Sequence, residues 1–171
     1  ETIEVFRGIP FAAPPVGPLR WMPPQPMPVT PQQIMTTRFA PACYQGEHIT
    51  KWYQGVVQDF GGDPRLIEAP QVSEDCLYLN LWRPKGEKAP LPIVVFIHGG
   101  GWVGGSPNQF LKQSQHFAMR GLVGIRVQYR VIPKGDAGPP FVCVADAIGH
   151  VEDACVQHVL LVHVYWLTAT S

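Results

Sequence analysis

The segment Pro92–Ser106, PIVVFIHGGGWVGGS, constrains the fold more than any other stretch of the chain. Ile93–Ile97 is an unbroken apolar run, which suits a strand covered on both faces. It runs straight into His98 and three glycines, and Gly104 and Gly105 follow. Backbone without Cβ atoms directly after a buried strand lets another group approach the main chain closely, and it supplies positive φ where a turn needs it. The neighbouring segments extend the pattern. Cys76–Trp82 alternates and is rich in strand formers, Gln109–Arg120 reads as a helix, and Leu122–Tyr129 reads as the next strand. Strand, turn, helix and strand in that order predict an open α/β sheet. Asp146–His158 and Val159–Leu167 are expected to add a further helix and strand.

Composition narrows the class. A chain of 171 residues with 46% hydrophobic and 15% charged side chains fits a globular domain burying about two-thirds of its unfolded surface. A formal net charge of zero gives no electrostatic basis for binding nucleic acid or an acidic membrane. The longest apolar stretch, Val159–Leu167, is too short to span a bilayer. The chain opens at Glu1 with no Met and no signal-peptide pattern, so the start of the gene product is expected to be processed away or missing.

Prolines crowd the region from Gly8 to Pro31, with Phe11, Leu19 and Trp21 among them, which predicts ordered loop laid on a surface. Arg38–Gln71 reads as irregular, with a turn at Gly61-Gly62-Asp63-Pro64. A stretch of that length inside a compact domain has to be pinned or functional. None of the four cysteines has CxxC spacing, so no zinc site is expected, and Cys143 and Cys155 read as small buried apolar residues. No metal and no cofactor is expected.

A strand ending in His-Gly-Gly-Gly can hold successive backbone N–H groups in fixed positions. Such donors stabilise the negative oxygen that develops when a carbonyl is attacked, each by about 3 kcal/mol in the transition state. The competing readings are a phosphate-binding turn or a plain tight turn. There is no G-x-x-x-x-G-K-[ST] sequence. Gly99, Gly101 and Gly104 meet the glycine spacing of a dinucleotide site, but Met119 and Arg120 stand where its ribose-binding acid belongs.

Three stretches in order, FRGIPFAAPPVGPLRW (Phe6–Trp21), SEDCLYLNLWRP (Ser73–Pro84) and VFIHGGGWVGGS (Val95–Ser106), resemble the type-B carboxylesterases, a family of α/β-hydrolases that includes the cholinesterases. The resemblance covers roughly residues 3–108. It implies the N-terminal part of the central, mostly parallel sheet of an α/β-hydrolase, a serine acyl-enzyme mechanism and a small-molecule ester substrate. Gly100 and Gly101 would donate to the oxyanion, His98 would order the turn, and Trp102 would pack against it or line a pocket. Cys43 and Cys76 would form a disulfide closing the irregular loop, and Arg20 and Glu74 a structural ion pair. A disulfide implies an oxidising compartment, secreted or periplasmic. A cholinesterase proper is disfavoured: the cation-binding Trp of those enzymes, ten residues before the motif Cys, is Leu66 here, and Trp52 has the wrong spacing and is expected to pack within the loop.

The nucleophile elbow of such a hydrolase, G-x-S-x-G, is absent from the sequence. Ser106 has Gly104 before it but Asn108 after it, and Ser73, Ser114 and Ser171 have no flanking glycines at that spacing. The chain therefore reads as a single partial α/β-hydrolase domain over 1–171, inactive alone and poorly soluble. Residues 1–108 are carboxylesterase-like, and 109–147 form the next helix–strand–helix. The stretch YRVIPKGDAGPPFVCVADA within it also resembles shorter lipase-like acetylesterases. Residues 148–171 resemble nothing. After Lys134 there is no further Lys or Arg, while three of the six His fall in the last 22 residues, so an out-of-frame or chimeric tail is expected. The alternative function is a non-catalytic, cholinesterase-like binding or adhesion domain, though such a domain has no need of an intact HGGG turn.

Overall fold

The computed structural model describes residues 2–27, 35–109 and 111–132, together with the backbone of 162–164. In chain order the elements are β1 (Ile3–Pro10), β2 (Ala42–Cys43), helix α1 (His48–Asp59), β3 (Val72–Ser73), β4 (Tyr78–Pro84), β5 (Ile93–Ile97), helix α2 (Lys112–Met119), β6 (Val123–Val127) and β7 (Val162–Val164). Five strands form the main sheet in the order β1-β4-β6-β5-β7. β5 pairs in parallel with β6 and with β7, whereas β4 is antiparallel to both β1 and β6. The α/β sheet is thus mixed: parallel around β5 and antiparallel towards β1.

The core follows from this layout. Leu77, Leu79, Ile93, Val95, Ile125, Val127, Tyr129 and Val131 are buried together, with Ala12, Cys43 and Cys76 against them. Helix α2 crosses from β5 to β6 and packs on β4 and β6. Small residues let it come close: Ser114 and Ala118 are its buried positions, and a Cβ on Gly124 would stand 3.1 Å from the Ser114 Cβ. Among the described residues no helix is long and apolar enough to cross a membrane.

β5 spans the residues expected for it. β4 begins two residues later than expected, the backbone turning at Cys76, whose carbonyl accepts from Tyr78 N–H, and it runs two residues further, to Pro84. α2 begins at Lys112 rather than Gln109, since the backbone of Pro107 and Gln109 is held by the Arg126 guanidinium. β1 is a strand that the proline-rich reading missed. Its ladder is irregular between Phe6 and Ile9, where Gly8 takes φ +68° and donates its N–H to Asn80 Oδ1. Pro10 is tolerated at the strand end because no ladder donor is needed there.

The reading of Arg38–Gln71 as irregular is corrected by α1. Its sequence signal is Ile49, Trp52, Tyr53, Val56, Val57 and Phe60, apolar residues at helical spacing with Gly55 in their midst. The expected helix at Asp146–His158 lies outside the described residues. Of the expected strand Val159–Leu167, only its centre, β7, is described.

The loop holding α1 has little core of its own, as Thr50 is the only buried residue of the helix. It is closed by the parallel pair β2–β3 and by the disulfide Cys43–Cys76, with a sequence separation of 33. In the chain-entropy account a cross-link of that span contributes about 3.5–4 kcal/mol. Replacing both cysteines with Ala should lower the urea midpoint correspondingly, with addition of reductant having no further effect on the double variant. Equal midpoints for the variant and the oxidised parent chain would contradict this role.

Candidate active site

β5 delivers the chain to the end of the sheet, and the next eight residues fold back on themselves. Gly100, Gly101 and Trp102 take φ values of +130°, +59° and +66°, and Gly105 takes +115°. A Cβ on Gly100 would collide with the carbonyl oxygen of Gly104, and one on Gly105 with the carbonyl oxygen of Gly99. Two stretches of bare main chain are therefore in direct contact. Among the described residues, the amides of Gly99, Gly100 and Gly101 donate no hydrogen bond. Successive unpaired amides in such a turn form a concavity suited to a negative oxygen.

The carbonyls of His98 and Gly99 are satisfied by side chains. Tyr129 donates its hydroxyl to His98 O at 2.6 Å, and its ring stacks on the imidazole at 4.1 Å. His98 Nδ1 lies 2.9 Å from Gly99 O, so that nitrogen carries the proton. Gln128 Nε2 lies 3.2 Å from His98 Nε2 and donates to it. Both ring nitrogens of His98 are thus committed within the turn. Burial pushes its pKa down to about 4, outweighing the hydrogen bond to the Gly99 carbonyl, which raises it, and the Arg126 charge adds a smaller lowering, so the ring is neutral at pH 7.

Further supports come from distant parts of the chain. Gln45 takes both main-chain groups of Gly105, accepting from its N–H at 2.6 Å and donating to its carbonyl at 2.8 Å. Asn80 donates to Asn108 Oδ1, and Asn108 donates in turn to Ala40 O. Arg126, fully buried in β6, donates to Pro107 O at 2.9 Å and Gln109 O at 2.7 Å and lies 4.0 Å over the Phe96 ring. Sequence reasoning missed Gln45, Asn80, Asn108, Arg126, Gln128 and Tyr129 as supports. The available signal was the alternation of Arg126, Gln128 and Arg130 with apolar residues in a strand that has to be buried.

The other residues singled out from the sequence are placed as follows. Cys43 and Cys76 are joined, with their Cα atoms 4.9 Å apart. Arg20 Nε meets Glu74 Oε1 at 2.5 Å, both side chains well exposed, an arrangement that contributes little to stability. Trp102 tilts against Tyr129 at 5.7 Å. Leu66 is 78% exposed, and Trp52 meets Tyr53 of its own helix edge-on while staying 59% exposed. Ser106 and Ser114 are buried, and the hydroxyls of Ser73 and Ser106 accept from nearby backbone amides.

An open α/β sheet whose central parallel strand ends in this glycine turn, over a buried His, defines the N-terminal part of an α/β-hydrolase. Residues 1–135 match the family model described as the carboxylesterase family, and the chain belongs to that family. It is 39% identical over 129 residues to the fumonisin B1 esterase of Sphingopyxis macrogoltabida, covering 75% of this chain and 21% of that protein. It is 39% identical over 133 residues to the acetylcholinesterase of Gallus gallus, covering 77% of this chain and 17% of that protein. A crystal structure of the Geobacillus stearothermophilus carboxylesterase EST55 superposes with a TM-score of 0.58 at 28% identity, over 75% of this chain and 23% of that one. The chain spans about a fifth of the length of the curated relatives it matches.

The two glycines should respond differently to a methyl group. Gly100→Ala meets the Gly104 carbonyl and should cost more than about 2–3 kcal/mol in urea unfolding. Gly101→Ala has open space and only positive-φ strain, costing about 1–2 kcal/mol. Equal losses would refute the close approach.

His98 sets a pH dependence. Its folded pKa lies below the unfolded 6.5, so between pH 6.5 and about 4 the unfolded chain binds a proton that the folded chain refuses. Stability is therefore full above pH 6.5 and falls with decreasing pH, by at most about 3 kcal/mol at the acid end. His98→Asn should flatten the profile in that window. An unchanged slope would show that His98 does not set it.

Proposed function

We propose that the glycine turn is the oxyanion hole of a serine carboxylic-ester hydrolase, with the amides of Gly100 and Gly101 as donors. The observation that carries the reading is their lack of any hydrogen-bond partner among the described residues, at the end of β5 above a neutral His98. When a serine hydroxyl adds to an ester carbonyl, the oxygen gains a negative charge that two fixed N–H groups stabilise without reorganising. Collapse of that intermediate expels the alcohol, and water then hydrolyses the acyl-enzyme. His98 orders the turn and takes no proton, because both of its ring nitrogens are engaged.

The nucleophile, its acid and its catalytic His come from residues outside these 171. The three described serines are bound into local structure, and no G-x-S-x-G occurs. The substrate class is a small-molecule ester, consistent with the esterase names of the relatives. The Cys43–Cys76 disulfide supports work in an oxidising compartment, secreted or periplasmic.

Assays with p-nitrophenyl acetate test the reading. The purified 171-residue chain should give no turnover above background. The longer protein carrying this segment should hydrolyse the ester and be silenced by a serine-directed phosphonate. Phosphonate-sensitive turnover by the 171-residue chain, or its absence from the longer protein, would overturn the proposal.

A further inference from the structure

We propose that Gln45 is a positioning residue for the oxyanion turn, the strut through which the disulfide-closed loop fixes the backbone beneath Gly100. This rests on the reading of that turn as an oxyanion hole. Gln45 lies two residues after Cys43, and its carboxamide does what a neighbouring strand would do. It accepts from Gly105 N–H at 2.6 Å and donates to Gly105 O at 2.8 Å. The same Nε2 donates to Cys43 O at 3.0 Å, which ties the side chain back to its own loop.

Gly104 permits the approach. A Cβ there would stand 2.8 Å from Gln45 Oε1 and 2.6 Å from Ile49 Cγ1. Gly104 and Gly105 are in turn the surface on which the donor segment rests. A Cβ on Gly100 would strike Gly104 O, and one on Gly105 would strike Gly99 O and lie 3.0 Å from His98 Cε1. A displacement of Gly105 is therefore transmitted to Gly99 and Gly100 by contact. Gln45 itself has a fixed base, because Cys43 pairs with Ser73 in β2–β3 and is bonded to Cys76, two residues before β4.

The chemistry selects glutamine. A Glu keeps the acceptor for Gly105 N–H but has no proton for the carbonyls of Gly105 and Cys43. An Ala removes all three bonds. Donors that have lost their alignment stabilise the developing oxyanion less while leaving ester binding unchanged, so the loss falls on kcat.

Two measurements on Gln45→Ala and Gln45→Glu test this. In the 171-residue chain, backbone amide exchange by NMR should show the Gly105 amide exchanging about tenfold faster in Gln45→Ala, as expected for loss of one buried hydrogen bond. The Gly99–Gly101 resonances should shift, with the β4, β5 and β6 amides unchanged, and Gln45→Glu should keep part of the Gly105 protection. In the longer esterase, Gln45→Ala should lower kcat about tenfold or more with KM within about twofold, and Gln45→Glu should lie between it and the parent. Unchanged Gly105 exchange, or unchanged kcat in an active enzyme, would overturn the inference. If Gln45→Ala unfolds the strands, the same readings on Gln45→Glu decide. If the longer parent protein has no esterase activity, the proposed function fails, and Gly105 exchange still decides whether Gln45 is a strut.

Discussion

The main chain of Gly104 and Gly105 passes against that of Gly99 and Gly100 with no room for a side chain between them. This contact dictates much of what surrounds it. Glycine is needed at Gly100 and Gly105 on two grounds, positive φ and the opposing carbonyl oxygens. Backbone folded this tightly cannot satisfy its own polar groups by regular pairing, and buried ones must find partners elsewhere. The carbonyls of His98, Gly99, Gly105, Pro107 and Gln109 find theirs in Tyr129, His98, Gln45 and Arg126. Among the described residues, the amides of Gly99, Gly100 and Gly101 do not.

The electrostatics follow the same division. Arg126 is buried in β6, and burial lowers its pKa to about 10, which still leaves it charged at pH 7. Its charge disfavours protonation of His98, whose burial already does so more strongly. The imidazole consequently serves as a neutral donor and acceptor within the framework. The Phe96 ring against the guanidinium supplies part of what that buried cation loses in hydration.

Much of this was legible in the sequence, and the divide is physical. β5 and its turn announce themselves because an apolar run followed by glycines has few other uses. β1 is obscured because Gly8 and Pro10 are normally strand breakers. Gly8 is instead required where the ladder slips, as a Cβ there would lie 2.7 Å from Arg38 O. α1 was hidden by Gly55 and by the turn residues after it, although six apolar residues keep the helical period. The supports were illegible for another reason: Gln45 meets Gly105 across 60 residues, and Asn108 meets Ala40 across 68. No local pattern encodes a partner that far away. Only Arg126 in β6, with Gln128 and Arg130 just after it, hinted that something buried had to be satisfied.

The disulfide loop acquires a meaning beyond loop closure from these long-range bonds. α1 packs chiefly on the Pro64–Leu66 turn and buries only Thr50, so the loop cannot hold its position by a core of its own. Its order has to be imposed at its ends, where Cys43 is bonded to Cys76 and paired in β2–β3. Gln45 stands immediately inside the Cys43 end, two residues from the disulfide, and its carboxamide is tied to Cys43 O. A support for the turn set deeper in the loop would inherit the loop's weak packing, whereas one beside Cys43 inherits the rigidity of the sheet through Cys76 and Leu77. The covalent bond and the glycine turn are thereby parts of one mechanical unit, joined by a single carboxamide.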